Sequence, residues 1–146
     1  MPLIGAAAVR AALNKAMVGA DMASREITTK GAAIVEAAAK RNFEGSHARG
    51  EPHQGGDKPN VVSGDLRRSI RHEPVARLGV ASYGTVVGPS VVYGRRIELG
   101  FLGQDSRGRK YHQPPFPYFV PAVTSTAPQL QALAAATWLR WLTPDP

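Results

Sequence analysis

Cysteine is missing from this chain altogether. Its absence excludes disulfides, thiol catalysis and cysteine-ligated zinc, and it suits a protein made in a reducing cytoplasm. No apolar run approaches the roughly 20 residues that span a bilayer, so no membrane partner is expected. Residues 1–9 are apolar, yet no basic leader precedes them and Arg10 follows, which is not the order of a signal peptide. The sequence also lacks a G-x-x-x-x-G-K-[ST] phosphate loop, an H-E-x-x-H zinc motif, an EF-hand pattern and a G-x-S-x-G nucleophile elbow. His47 and His53 share a polar stretch without further ligands at metal-binding spacing. His72 lies between Arg71 and Glu73, where an imidazole is ordinarily solvated. These absences lead to a non-enzymatic protein with no catalytic, cofactor-binding or metal-binding residue.

A length of 146 residues fits a single domain, 1–146, around one core. Alanine supplies much of the 43% hydrophobic share. Helices built from it pack closely but bury little area per residue, which fits a subunit that completes its burial in an assembly. Lys and Arg number 18 against 11 Asp and Glu, a net charge of +7. The excess is spread along the chain, with residues 46–60 and 121–146 each balanced. A diffuse excess serves either as a solvating surface or as a nonspecific attraction for phosphate; a sequence reader would concentrate it on one element.

The hydrophobic pattern predicts one long helix over residues 6–43. Leu13, Ala20, Ile27 and Ile34 recur every seven residues, and Val9, Ala16, Ala23, Met17, Gly31 and Ala38 widen the stripe. Gly19 and Gly31 mark bends or close approaches of another backbone; two helices broken at one of them is the alternative. At about 1.5 Å per residue, such a helix is longer than a small domain can cover, so one end is expected against a partner. Residues 46–60 read as a mobile loop, and residues 63–70 as a short helix capped by Ser63 and anchored by Leu66 and Ile70. Residues 70–81 and 83–87 read as strands of an antiparallel meander closed by Gly88 and Pro89. Residues 91–99 have helix-like spacing. Residues 101–115 form a second mobile, glycine-rich basic loop or hairpin arm, and residues 116–120 an aromatic strand. Residues 121–142 form a final helix that Pro128 kinks or restarts, with Thr126 as cap. Trp138 and Trp141 pack on the core or on a neighbouring subunit. The fold class is α+β, with the long N-terminal helix and the C-terminal helix packed on a small antiparallel sheet.

Three segments in fixed order resemble one family. Residues 63–70, Ser-Gly-Asp-Leu-Arg-Arg-Ser-Ile, are similar to [ST]-G-x-L-x-x-S-I; residues 93–100, Tyr-Gly-Arg-Arg-Ile-Glu-Leu-Gly, to Y-[AG]-x-x-[VI]-E-[FL]-G; and Pro115-Phe116 leads into Pro121-Ala122 and a last helix. With the alanine-rich helix ahead of them, they resemble the gene-product-ten-like neck and tail-component proteins of long-tailed bacteriophages, over about three quarters of the chain. Residues 63 and 101 are Ser and Phe where that family usually carries Thr. The resemblance implies a tail-terminator-like fold and a structural subunit at the head–tail junction: neck, head-to-tail connector or tail completion. It implies a homo-oligomeric ring around the DNA channel, a hexamer in preference to a dodecamer. Neighbouring stopper or adaptor proteins, the tail terminator or the tail tube are the implied partners. The location is the virion, after assembly in the host cytoplasm. Candidate subunit or partner contacts are Arg95, Arg96, Glu98, Trp138 and Trp141, with Glu98 pairing with an arginine of its own chain or of the next. Candidate nonspecific contacts with packaged DNA are Arg67, Arg68, Arg107, Arg109 and Lys110. The alternative reading is a small basic nucleic-acid-binding protein.

Overall fold

Alanine dominates residues 6–41, and alanine has the highest helix propensity because it has no side-chain rotamer to fix. The computed structural model describes residues 5–43 and 54–143. In it this stretch is α1, Ala6–Arg41, a single helix of 36 residues that runs through both Gly19 and Gly31. Lys40 and Arg41 occupy its last turn, where positive charge suits the helix dipole. The helix stops two residues short of the expected end because the N–H groups of Asn42 and Phe43 turn back to the carbonyls of Ala39 and Lys40, three residues behind. Most of the expected loop 46–60, including His47 and His53, lies outside the described residues.

The short helix α2, Asp65–Ser69, is one step displaced from the expected cap: Gly64 occupies the cap position, and the Ser63 hydroxyl instead donates to the Asp65 carboxylate at 2.6 Å. A two-stranded ribbon follows. β1 (Ile70–His72) pairs antiparallel with β4 (Val87–Pro89), and β2 (Ala76–Gly79) with β3 (Ser82–Gly84). The Glu73 N–H bonds the Val86 carbonyl at 2.9 Å, so these are two stretches of one interrupted hairpin. α3 (Gly94–Leu99) leads through Gly100 into a second hairpin, β5 (Phe101–Gln104) with β6 (Lys110–Gln113). The segment expected as a mobile loop or hairpin arm is therefore a paired hairpin. The expected antiparallel pairing of residues 70–81 with 83–87 is present as that hairpin, and among the described residues every sheet has two strands, which with the long helices makes the fold α+β. α4, Phe119–Leu142, closes the chain.

The aromatic strand expected at residues 116–120 does not form; α4 begins inside it. α4 also continues through Pro128, which is exposed, so the carbonyl that loses its helical donor there faces water. Thr126 is no cap: it is buried in mid-helix and its hydroxyl donates to the Ala122 carbonyl at 2.8 Å. α4 lies antiparallel on α1, with Trp141 over Gly19, Leu130 beside Gly31 and the Tyr118 carbonyl bonded by Asn42 at 2.7 Å. The buried residues along this seam are Gly19, Ala23, Ala32, Ala38 and Ala39 on α1 and Ala122, Thr126 and Thr137 on α4. All are small, which lets the two backbones approach closely. The large side chains collect at one end, where Phe43, Ile70 and Tyr118 pack with Ala38, Ala39 and Ala122, flanked by Val61, Leu66, Ile97 and Phe119. Among the described residues no helix is long and apolar enough to cross a membrane.

The two glycines of α1 differ in kind. A Cβ on Gly19 would stand 2.5 Å from the Trp141 carbonyl oxygen, whereas one on Gly31 would meet only a Leu130 methyl at 3.4 Å. Gly19→Ala is therefore expected to destabilise the fold by about 2 kcal/mol, since backbone has to move. Gly31→Ala is expected to stabilise it by up to about 1 kcal/mol through helix propensity. Urea unfolding of the two variants, read against the parent, checks the opposite signs.

Candidate functional site

The three segments that carry the family resemblance meet in space around Tyr118. Ile70, from the first, is fully buried beside it. Gly94, from the second, leaves room for its ring: a Cβ there would lie 3.1 Å from the Tyr118 hydroxyl and 2.6 Å from Pro89. That hydroxyl donates to the Gly94 carbonyl at 3.2 Å, and the ring meets Phe43 at 4.9 Å between centroids. Burial, aided by the nearby Glu98 charge and Tyr93, pushes the phenol up to about 12, so it stays a donor. Glu98, from the second segment, accepts the backbone N–H groups of Tyr118 at 2.7 Å, Phe119 at 2.8 Å and Val120 at 2.9 Å. The next residue, Pro121, has no N–H. One carboxylate thus satisfies every free donor at the start of α4 and sits at the positive end of its dipole. This is why residues 116–120 are not a strand: the N–H groups that a ladder would use are held by a carboxylate.

A second set of carboxylates fastens the other faces of α1. Glu26 accepts from Lys30 at 2.6 Å, from the Trp141 indole at 2.9 Å and from Arg140. Those partners, Lys30 first, then Trp141 and Arg140, hold its pKa down to about 2. Glu36 binds Lys40 at 2.5 Å, the His72 ring at 2.5 Å and the His72 N–H at 3.0 Å. Its partial burial works against the charge, yet Lys40 and His72 outweigh it and bring the carboxyl to about 2. Asp21 accepts from Arg77 and from the Tyr83 hydroxyl, both at 2.8 Å, tying the ribbon to α1. The acidic side chains of this basic protein are largely engaged within the chain.

The residues read from the sequence as contacts are dispersed over the molecule. Glu98 contacts three backbone N–H groups of its own chain and, among the described residues, no arginine. Trp138 and Trp141 are half-buried against α1, Trp138 beside Ser24, Ile27 and Tyr83. Arg95 and Arg96 are exposed on α3, with the Arg96 guanidinium 4.4 Å from the Phe101 ring centroid. Arg68 is held by Asp65 at 2.6 Å and by the Ser63 carbonyl at 2.9 Å, while Arg67 has no partner among the described residues. In the β5–β6 turn Asp105 accepts the N–H groups of Arg107 and Arg109 and the Arg109 side chain; Arg107, Arg109 and Lys110 are all exposed, and only Arg109 among them has an ion-pair partner among the described residues. The DNA-contact candidates therefore fall on two separate surfaces, α2 and the hairpin tip.

Sequence reasoning missed two features. Residues 6–18 of α1 extend beyond α4 and are exposed throughout, with Val9, Leu13, Met17 and Val18 each about 60% accessible. The stripe was legible, but not which end of it α4 leaves bare. A cavity of about 260 Å³ also opens between α2 and α3, walled chiefly by Val61, Leu66, Ile97 and Phe116; Asn60, in its rim, has a buried Oδ1 with no hydrogen-bond partner. Among the described residues no three His, Cys, Asp or Glu side chains group as metal ligands. Comparison with protein families, with curated proteins and with solved structures found no match to this chain.

Two outcomes follow for the carboxylates. Glu98→Gln keeps one acceptor but loses the charge and turns an amide toward N–H donors, so it is expected to lower unfolding free energy by about 2 kcal/mol, and Glu98→Ala by more; chemical denaturation measures both. For Glu26 and Glu36 the folded pKa lies below the ordinary value of 4.5. Their contribution is present above that value and is lost as pH falls from about 4.5 toward 2. The melting temperature should drop across that window, and the double variant Glu26→Gln, Glu36→Gln should flatten the drop. An unchanged profile in the variant contradicts the assignment.

Proposed function

We propose that this chain is a ring-forming structural subunit of a long-tailed phage virion, placed at the head–tail junction or tail end around the DNA channel. The observation that carries the reading is the bare start of α1: about 20 Å of helix whose Val9, Leu13 and Met17 lie on one stripe, each about 60% exposed. A segment of that length is marginal as a helix in water without a partner for its apolar side. A ring subunit has two neighbours, each covering about 800 Å² of it at a standard interface, and supplies such a partner. Further support comes from the placement of the motif segments: Ile70, Gly94 and Glu98, from the first two, meet at Tyr118, a residue by which this chain lengthens the third.

The test is the assembly state. Purified protein is expected to run as a hexamer, or alternatively a dodecamer, by light scattering, and as rings in negative stain. Leu13→Glu with Met17→Glu removes the apolar stripe where it is largely exposed. That variant should keep its helical circular dichroism and fall to monomer. A parent that stays monomeric at every concentration, with no binding to neck or tail proteins, overturns the proposal.

A further inference from the structure

Outside the Tyr118 junction, one cleft is lined only by titratable side chains. It opens between the C-terminal half of α1, α2 and β1, with a volume of about 600 Å³, and its walls are Glu36, Lys40, Arg67, Arg68, Arg71 and His72. Five are basic and one is acidic. The single acid is already occupied, since Glu36 is bound by Lys40 and by both the ring and the N–H of His72. Arg68 is held by Asp65 and the Ser63 carbonyl. The two remaining guanidinium groups carry the surplus. Arg67 has no partner among the described residues, and Arg71 donates only its Nε, at 3.5 Å, to the Arg68 carbonyl. Both are exposed. Two forked donors thus flank one open cleft, and among the described residues no carboxylate lining it is left to neutralise them.

The geometry points to a binding cleft for the phosphodiester backbone of duplex DNA, with Arg67 and Arg71 as the phosphate forks. A guanidinium group offers a planar pair of donors that matches two phosphate oxygens, and two such forks can hold successive phosphates of a polyanion. No lining residue is apolar, so nothing is available to insert into a bilayer, as a basic membrane surface requires. The one aromatic ring in the lining is the His72 imidazole, held by Glu36, so unpaired bases have no row of aromatic rings to stack on. Contacts of this kind position a duplex without reading its sequence. The choice of DNA as the duplex rests on the virion reading above; the cleft's preference for a phosphodiester backbone does not.

The test uses full-length protein and a fluorescein-labelled random 20-base-pair duplex, followed by anisotropy across a salt series. Binding is expected at about 50 mM salt and should weaken steeply with added salt. The double variant Arg67→Ala, Arg71→Ala should lose affinity at least about tenfold and lower the log–log salt slope by about 2, one unit per lost phosphate contact. The control Arg25→Glu removes the same two units of charge from an exposed position of α1, outside the cleft and outside the bare first turns, and should change affinity by less than about threefold. Melting temperature and oligomer mass, measured on every variant, are expected to match the parent. Equal losses in the cleft variant and the control mean diffuse attraction and overturn the cleft. So does an absence of duplex binding by the parent, or tighter binding to phosphatidylserine vesicles than to duplex. Rings that form without binding duplex leave the ring proposal standing and this one refuted; duplex binding by a monomer does the reverse.

Discussion

Tyr118 is fully buried, and everything polar about it has to be answered within a few ångströms. Its hydroxyl goes to Gly94, its carbonyl to Asn42 and its N–H to Glu98. Those three partners belong to α3, to the residue that ends α1, and to α3 again. One side chain and its peptide group therefore fix where the long helix stops, where the last helix starts and how the short helix between them sits. The rest of the core is alanine and glycine seam, which brings backbones together but has little shape to set register. Register comes from this end, where Phe43 and Ile70 complete the packing, and from the carboxylates that fasten α1 along its length.

The two long helices were legible because a seven-residue apolar repeat survives any tertiary context. The α+β class followed from them and from the short β-branched runs between. What the sequence did not display is pairing between residues far apart. The run from Phe116 to Val120 has the composition of a strand, and only Glu98, some twenty residues earlier, makes it a helix start. Likewise Pro128 looked like a break because its exposure on the outer face of α4 is invisible before the helix is docked. The basic residues show the same limit: Arg67, Arg68 and the hairpin cluster were visible as charge. Which guanidinium groups are occupied and which are free depends on Asp65 and Asp105, and the cleft takes one wall, Glu36 and Lys40, from a helix that sequence places far from Arg67 and Arg71.

The placement of acids organises the charge of the whole surface. Asp21, Glu26, Glu36, Asp65, Glu98 and Asp105 each hold a donor of their own chain. Internal ties of this sort between α1, the ribbon, α3 and α4 use the negative charge that would otherwise be interspersed over the outside. The fold is fastened by the same step that leaves its exterior predominantly cationic, so a substitution made for stability at one of these carboxylates also alters what the exterior attracts.

The hairpin β5–β6 joins α3 through a single glycine, and α3 carries Glu98 near its last turn. That joint admits no side chain, since a Cβ on Gly100 would stand 2.8 Å from the Gln113 carbonyl oxygen. The root of the arm and the start of the closing helix are therefore set within three residues of backbone, Glu98 to Gly100, and a displacement of α3 is felt at both.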